Sequence, residues 1–193
     1  MRPQTALSPE APVMQALARG VCPICTLLRA FQNAMIDAPH GHPADSLCNS
    51  HAWSLAGSSP AVEAVPILRS MLEAAAVRPA TDVIELRPCG WCEALREHEE
   101  ERLTEFRCEM KRVMFADWMR QYGTICLLHA RRLIETLPGP GAEVIRQIVT
   151  NNQEELERQL AAFEVRVQAG ERGGGGVLGH IAEFLVSQGG VTR

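Results

Sequence analysis

The stretch Cys22-Pro-Ile-Cys25-Thr-Leu-Leu-Arg29 returns later in the chain as Cys89-Gly-Trp-Cys92-Glu-Ala-Leu-Arg96. In the same way Leu47-Cys48-Asn-Ser-His51-Ala52 returns as Ile125-Cys126-Leu-Leu-His129-Ala130, with Leu55 matched by Leu133. Six of the seven cysteines fall within these pieces and only Cys108 lies outside. A C-x2-C or C-x2-H step sets two soft donors on one tight turn. Two such knuckles close a tetrahedron, and three thiolates with one imidazole make a closed structural zinc set. Shared order and spacing point to a duplicated module. Cys22, Cys25, Cys48 and His51 are expected to close the first site, and Cys89, Cys92, Cys126 and His129 the second.

Each knuckle stands at or just before an expected helix start, where unpaired N–H groups and the positive helix end favour the thiolate that a metal needs. His51 and His129 are expected to be neutral and to bind through one ring nitrogen, the other donating to a carbonyl or carboxylate. Zinc, two ions per chain, suits a thiolate-rich closed site. An iron–sulfur cluster is the alternative for the same ligands, although all-cysteine ligation is commoner there. Structural zinc binds small sites with ~10–16 kcal/mol, against ~5–15 kcal/mol for the stability of a typical domain. Losing a metal should therefore loosen its module.

Hydrophobic spacing outside the knuckles is helical. Leu27, Leu28, Phe31, Ala34 and Met35 recur at steps of three and four, ending before Pro39. A short helix is expected through Ala52, Trp53 and Leu55. In the next, Val62, Val65, Leu68, Met71, Leu72 and Ala75 form one face, with Pro66 as a kink or a fresh start. Leu95, Leu103, Phe106, Met110, Val113, Met114, Trp118 and Tyr122 imply one long helix to Gly123. Leu127 to Leu137 follows, broken by Pro138-Gly-Pro-Gly141, then Val144 to Val167 and a last short helix from Val177 to Val186. The fold class read from this pattern is all-α, with two duplicated helical modules each stapled by a Cys3His site. The expected organisation is an N-terminal arm over 1–20, a first module over 21–78 and a linker over 79–88, extended around Val83 to Leu86. A second module covers 89–168, and a Gly-rich loop with a C-terminal helix covers 169–193.

The 193 residues can bury a real core, so zinc is a staple added to it. A net charge of −4 gives no general pull toward nucleic acid or anionic membrane, and neither is expected as a partner. The charges between Glu93 and Arg132 read as a solvated helix surface. No transmembrane stretch or signal-peptide core is read in the sequence, and the expected location is the cytoplasm, where paired cysteines hold metal more often than they form disulfides.

Several signals are set aside. The CPIC and CGWC strings match thioredoxin-type motifs but lack a βαβ setting. No base stands beside an open metal position, so no catalytic residues are assigned. Gly174-x-Gly176-x-x-Gly179 matches a dinucleotide fingerprint without a preceding strand, and Gly173 to Gly176 is read as a loop. His40 and His42 read as exposed loop residues, His98 and His180 as ordinary helix residues, and Cys108 as a small buried hydrophobe.

The set CPIC, LCNSHAWSLA, CGWC and ICLLHARRL resembles an uncharacterised bacterial family with tandem CPxC and CxxHA motifs. The tail LAAFEVRVQAGERGGGGVLGHIAEFL is similar to the end of that family. The resemblance spans Val21 to Gly189 and implies a metal-binding helical protein without an assigned activity. Gly90-Trp91 stands where proline is more usual, and no ligand is lost. The function expected is a scaffold or partner-binding module for another protein. A thiol- or metal-based redox sensor is the alternative.

Overall fold

The computed structural model describes residues 21–39, 47–59, 61–76, 89–170 and 175–186. Among them the chain is all-helical, with eight helices and no strand: α1 (Pro23–Asp37), α2 (Asn49–Ser58), α3 (Ala61–Ala76), α4 (Gly90–Glu109), α5 (Val113–Tyr122), α6 (Leu127–Thr136), α7 (Gly139–Gln168) and α8 (Gly175–Val186). The expected arm, the linker with its extended piece, His40 and His42 lie outside the described residues. None of the described helices is long and apolar enough to cross a membrane.

The chain divides into two units that do not follow the expected modules 21–78 and 89–168. One is Met1–Leu27 with Glu101–Arg193, the other Leu28–Glu100, so both boundaries fall inside helices, α1 and α4.

In the first unit α7 packs against α5, α6 and α8. Its core holds Leu103, Phe106, Met110, Phe115, Met119, Leu133, Ile145 and Ile148. The single long helix expected to Gly123 is broken at Met110–Arg112. There Lys111 and Arg112 donate to the carbonyls three residues back, of Cys108 and Glu109, and Arg112 turns extended to cap α5. The rotation of an α-helix explains the break. Phe106 and Phe115 are nine residues apart, about two and a half turns, and on one continuous helix they would face opposite sides. Breaking the helix lets both be buried in edge-to-face contact, ring centroids 5.5 Å apart. The polar surface carries i,i+3 and i,i+4 pairs, among them Arg102–Glu105 at 2.7 Å and Arg131–Glu135 at 3.0 Å. Such exposed pairs contribute little to stability.

Pro138-Gly-Pro-Gly141 does end α6, but it also starts α7 five residues before Val144. Pro138 is the N-cap, its carbonyl accepts from Ala142, and Pro140 sits in the first turn, where its missing N–H costs nothing. Gly170, at φ +82°, closes α7 in the left-handed conformation that glycine tolerates.

In the second unit α2 packs on α3, and the core includes Met35, Leu55, Ala64, Ile67, Trp91 and Leu95. The packed stripe of α3 is rotated from the expected one. Val62 and Val65 are exposed while Ala64 and Ile67 are buried. Pro66 lies inside α3 on its exposed side and does not end the helix. Ser59 donates from its hydroxyl to the Ile36 carbonyl at 2.5 Å, tying the end of α2 to α1.

Candidate metal centres

All four knuckles are built alike. Cys22, Cys48, Cys89 and Cys126 each stand immediately before a helix. Their carbonyls accept the first intrahelical bonds, from Thr26 (3.1 Å), Ala52 (2.9 Å), Glu93 (3.0 Å) and Ala130 (2.9 Å). Each is thus an N-cap in backbone terms; Cys48 and Cys126 have the extended ψ of that position, 166° and 156°. The second ligand follows three residues later, in the first turn. In a capping box the N-cap and N3 side chains are brought to the same helix end. Here the same geometry brings together sulfur with sulfur, or sulfur with imidazole.

The eight expected ligands converge as two groups of four: Cys22, Cys25, Cys126 and His129 in the first unit, and Cys48, His51, Cys89 and Cys92 in the second. This corrects the expected pairing, in which each copy of the repeat closed its own site. The first C-x2-C meets the last C-x2-H, and the two inner knuckles meet each other. Helix length supplies the physical reason. The helix that opens at each C-x2-C, of 15 and 20 residues, carries the chain roughly 22–30 Å onward before the next knuckle occurs. Neither C-x2-C therefore closes on the C-x2-H that follows it in the chain.

Within the first group, His129 Nδ1 lies 3.4, 3.3 and 3.1 Å from the sulfurs of Cys22, Cys25 and Cys126, and Cys25 Sγ is 3.6 Å from Cys126 Sγ. Within the second, His51 Nδ1 lies 3.3, 3.3 and 3.4 Å from Cys48, Cys89 and Cys92, and Cys48 Sγ is 3.8 Å from Cys92 Sγ. In both groups Nδ1 is the nitrogen turned to the sulfurs. These distances fit one ion. Bonds of ~2.3 Å to sulfur and ~2.0–2.1 Å to nitrogen at tetrahedral angles give sulfur–sulfur edges near ~3.8 Å and sulfur–nitrogen edges near ~3.6 Å. They do not fit disulfides, whose sulfurs sit ~2.05 Å apart, and all seven cysteines are free. Each group can hold a metal ion.

Burial separates the two centres. All four ligands of the first are buried, whereas Cys48 and Cys92 of the second are half-buried. In the first, burial pushes the Cys22 thiol well up, while hydrogen bonds from Cys126 and Cys22 hold Cys25 far below the ordinary thiol range. In the second, burial pushes Cys92 up to about 12. At Cys89 burial acts upward, but hydrogen bonds from the backbone and side chains of Cys48 and Cys92 outweigh it and the net direction is down. Burial lowers His51, which favours the neutral imidazole a metal requires. In each centre one readily ionised thiol, Cys25 or Cys89, stands beside one that resists ionisation, Cys22 or Cys92.

Trp91, inside the second C-x2-C, is fully buried with its ring tilted against His51 at a centroid distance of 5.6 Å. Its indole Nε1 has no hydrogen-bond partner. In the sequence this tryptophan stands out only as a departure from proline, and the signal of its packing role is a large aromatic between two ligands. His98 stacks on Phe31 at 4.2 Å, a packing role beyond that of an ordinary helix residue. Cys108 is exposed, not buried, since its position falls off the Leu103–Phe106–Met110 stripe. Gly176 and Gly179 lie within α8, so the glycine fingerprint forms no phosphate loop there.

No protein-family model matches the chain, and no curated protein or solved structure is significantly similar to it.

Proposed function

We propose that this chain is a cytoplasmic zinc protein whose two structural Cys3His centres hold a helical scaffold for a protein partner. The observation that carries the proposal is the convergence of three sulfurs and one imidazole nitrogen, twice, at the spacing of a single four-coordinate ion. Four protein donors fill such a shell, and a filled shell is the mark of a structural rather than a catalytic site. The compact spacing supports zinc over an iron–sulfur cluster, whose ligands diverge onto separate irons. Cys22, Cys25, Cys126 and His129 would hold one ion and Cys48, His51, Cys89 and Cys92 the other. Bound metal supplies cross-linking here, joining segments more than a hundred residues apart in the first centre. Kinship with the uncharacterised bacterial family of tandem CPxC and CxxHA motifs belongs to the same proposal.

The test is elemental analysis with an absorption spectrum on anaerobically purified protein. About two zinc per chain in a colourless sample is expected from two Cys3His centres. Iron with sulfide and visible absorption would replace zinc by a cluster and make electron transfer the leading function.

A redox-sensor reading is favoured by one feature, the half-buried Cys48 and Cys92. Peroxide would oxidise one of these thiolates to a sulfenic acid, itself being reduced to hydroxide. The other thiol would then displace water to form the disulfide and eject the metal. Zinc release at low peroxide excess supports the sensor; inert zinc supports the scaffold.

A further inference from the structure

The core-facing stripe of α7 changes character halfway along. Ile145 and Ile148 are buried, and the same stripe continues at steps of three and four through Asn152, Glu155, Leu156 and Gln159. Polar residues on such a stripe cost stability unless something answers them. Here they line a cavity of about 140 Å³ within the first unit, facing His180 and Phe184 of α8. Cys22 and Cys126 form part of its wall.

The lining has a definite chemistry. Phe184 is buried and, with Leu156, offers apolar surface. Gln159 donates from Nε2 to Glu155 Oε1 at 2.7 Å, and Arg158, which does not line the cavity, also pairs with Glu155. Outside the thiols, Glu155 is the one acidic side chain in the lining. Asn152 Nδ2 is buried and lacks a hydrogen-bond acceptor. A comparable cavity of ~150 Å³ accommodates a benzene-sized molecule.

We propose that this cavity binds a small organic amine that also carries one hydrogen-bond acceptor. The ammonium group pairs with Glu155, the acceptor takes the Asn152 amide, and the hydrocarbon between them lies on Leu156 and Phe184. A carboxylate in place of the ammonium would meet Glu155 with like charge, and a purely apolar guest would leave Asn152 unanswered.

The probe is 4-amino-1-butanol, titrated into the metal-loaded full-length chain and followed by amide and side-chain NMR, with 1-pentanol and 4-hydroxybutanoate as controls. Saturable shifts centred on α7 and α8 are expected. Both controls and Glu155→Gln should bind about tenfold or more weakly, as loss of a charge-assisted contact implies. Leu156→Phe should fill the cavity and abolish binding, with the dispersion of the free spectrum retained. Absence of saturable shifts, or equal binding by Glu155→Gln, overturns the proposal. Preference for 4-hydroxybutanoate overturns the amine class, and so does equal binding of 1-pentanol, which keeps the hydroxyl and lacks the ammonium. Metal content is measured on every sample, so failure here is distinguishable from failure of the metal reading.

Discussion

Cys25 Sγ lies 3.6 Å from Cys126 Sγ, although 101 residues separate them in the chain. The contact joins the first knuckle to the last and leaves the two inner knuckles to each other. Losing one ligand of the first centre therefore frees both ends of a long chain segment, and metal loss there should act on α1 and α6 together.

The centres should differ in how easily they release metal. Cys48 and Cys92 are half-buried, while every ligand of the first centre is buried. Chelator competition should remove metal in two phases, the fast phase from the second centre. Cys92→Ser should abolish the fast phase and Cys126→Ser the slow one. A single phase, or the reverse assignment, counts against burial as the controlling factor.

Trp91 is held by packing and penalised by its unpaired N–H. Trp91→Ala should cost ~3–5 kcal/mol, as for a large aromatic removed from a core. Trp91→Phe keeps a ring beside His51 and removes the orphan donor, whose burial costs ~1–3 kcal/mol, so much of the loss is offset. Urea denaturation of the metal-loaded proteins gives the ordering. Equal losses for the two variants would contradict it.

Gly123 ends α5, and a Cβ there would stand 2.5 Å from the Met119 carbonyl oxygen and 2.6 Å from Met119 Cε. Its φ of −73° is ordinary, so the restriction is space and not torsion. Gly123→Ala should destabilise by ~1–3 kcal/mol, the usual cost of overpacking. It should also weaken metal binding at the first centre, because Thr124, Ile125 and Cys126 follow directly. Unchanged thermal stability would show that Met119 yields without cost.

Acidification should destabilise the protein. Burial holds His51 below its ordinary value of 6.5. As pH falls through 6.5, the unfolded chain takes up a proton that the folded chain does not. Stability present above that pH is then lost progressively toward the lower folded value. Proton competition for metal-bound thiolates has the same sign. Denaturant midpoints and zinc release, followed together from pH 7.5 to pH 5, should fall and rise respectively (a window chosen around the ~6.5 of free histidine). A midpoint that rises on acidification would contradict the neutral-imidazole assignment.

The eight donors were legible in the sequence because a knuckle is local: N-cap and N3 positions are joined by three residues of backbone. Their pairing was not, because four knuckles of equivalent chemistry carry no mark of which meets which. That choice lies in how the helices between the knuckles pack, a tertiary matter. The helices were legible from apolar steps, but the break at Met110–Arg112 has no glycine or proline to announce it. It arises from the need to bury Phe106 and Phe115 together, a tertiary demand. Val62 and Val65 mislead for a related reason, since the packed stripe runs through Ala64 and Ile67.

The most direct test of the account is metal stoichiometry in paired variants. Wild-type protein should hold about two zinc, as two four-ligand centres require. Cys25→Ser with Cys126→Ser removes two ligands of one centre and should leave about one. Cys25→Ser with Cys48→Ser removes a ligand from each and should leave almost none. If instead the Cys25/Cys48 variant keeps one ion and the Cys25/Cys126 variant loses both, each sequence repeat closes its own site and the interleaved arrangement is wrong.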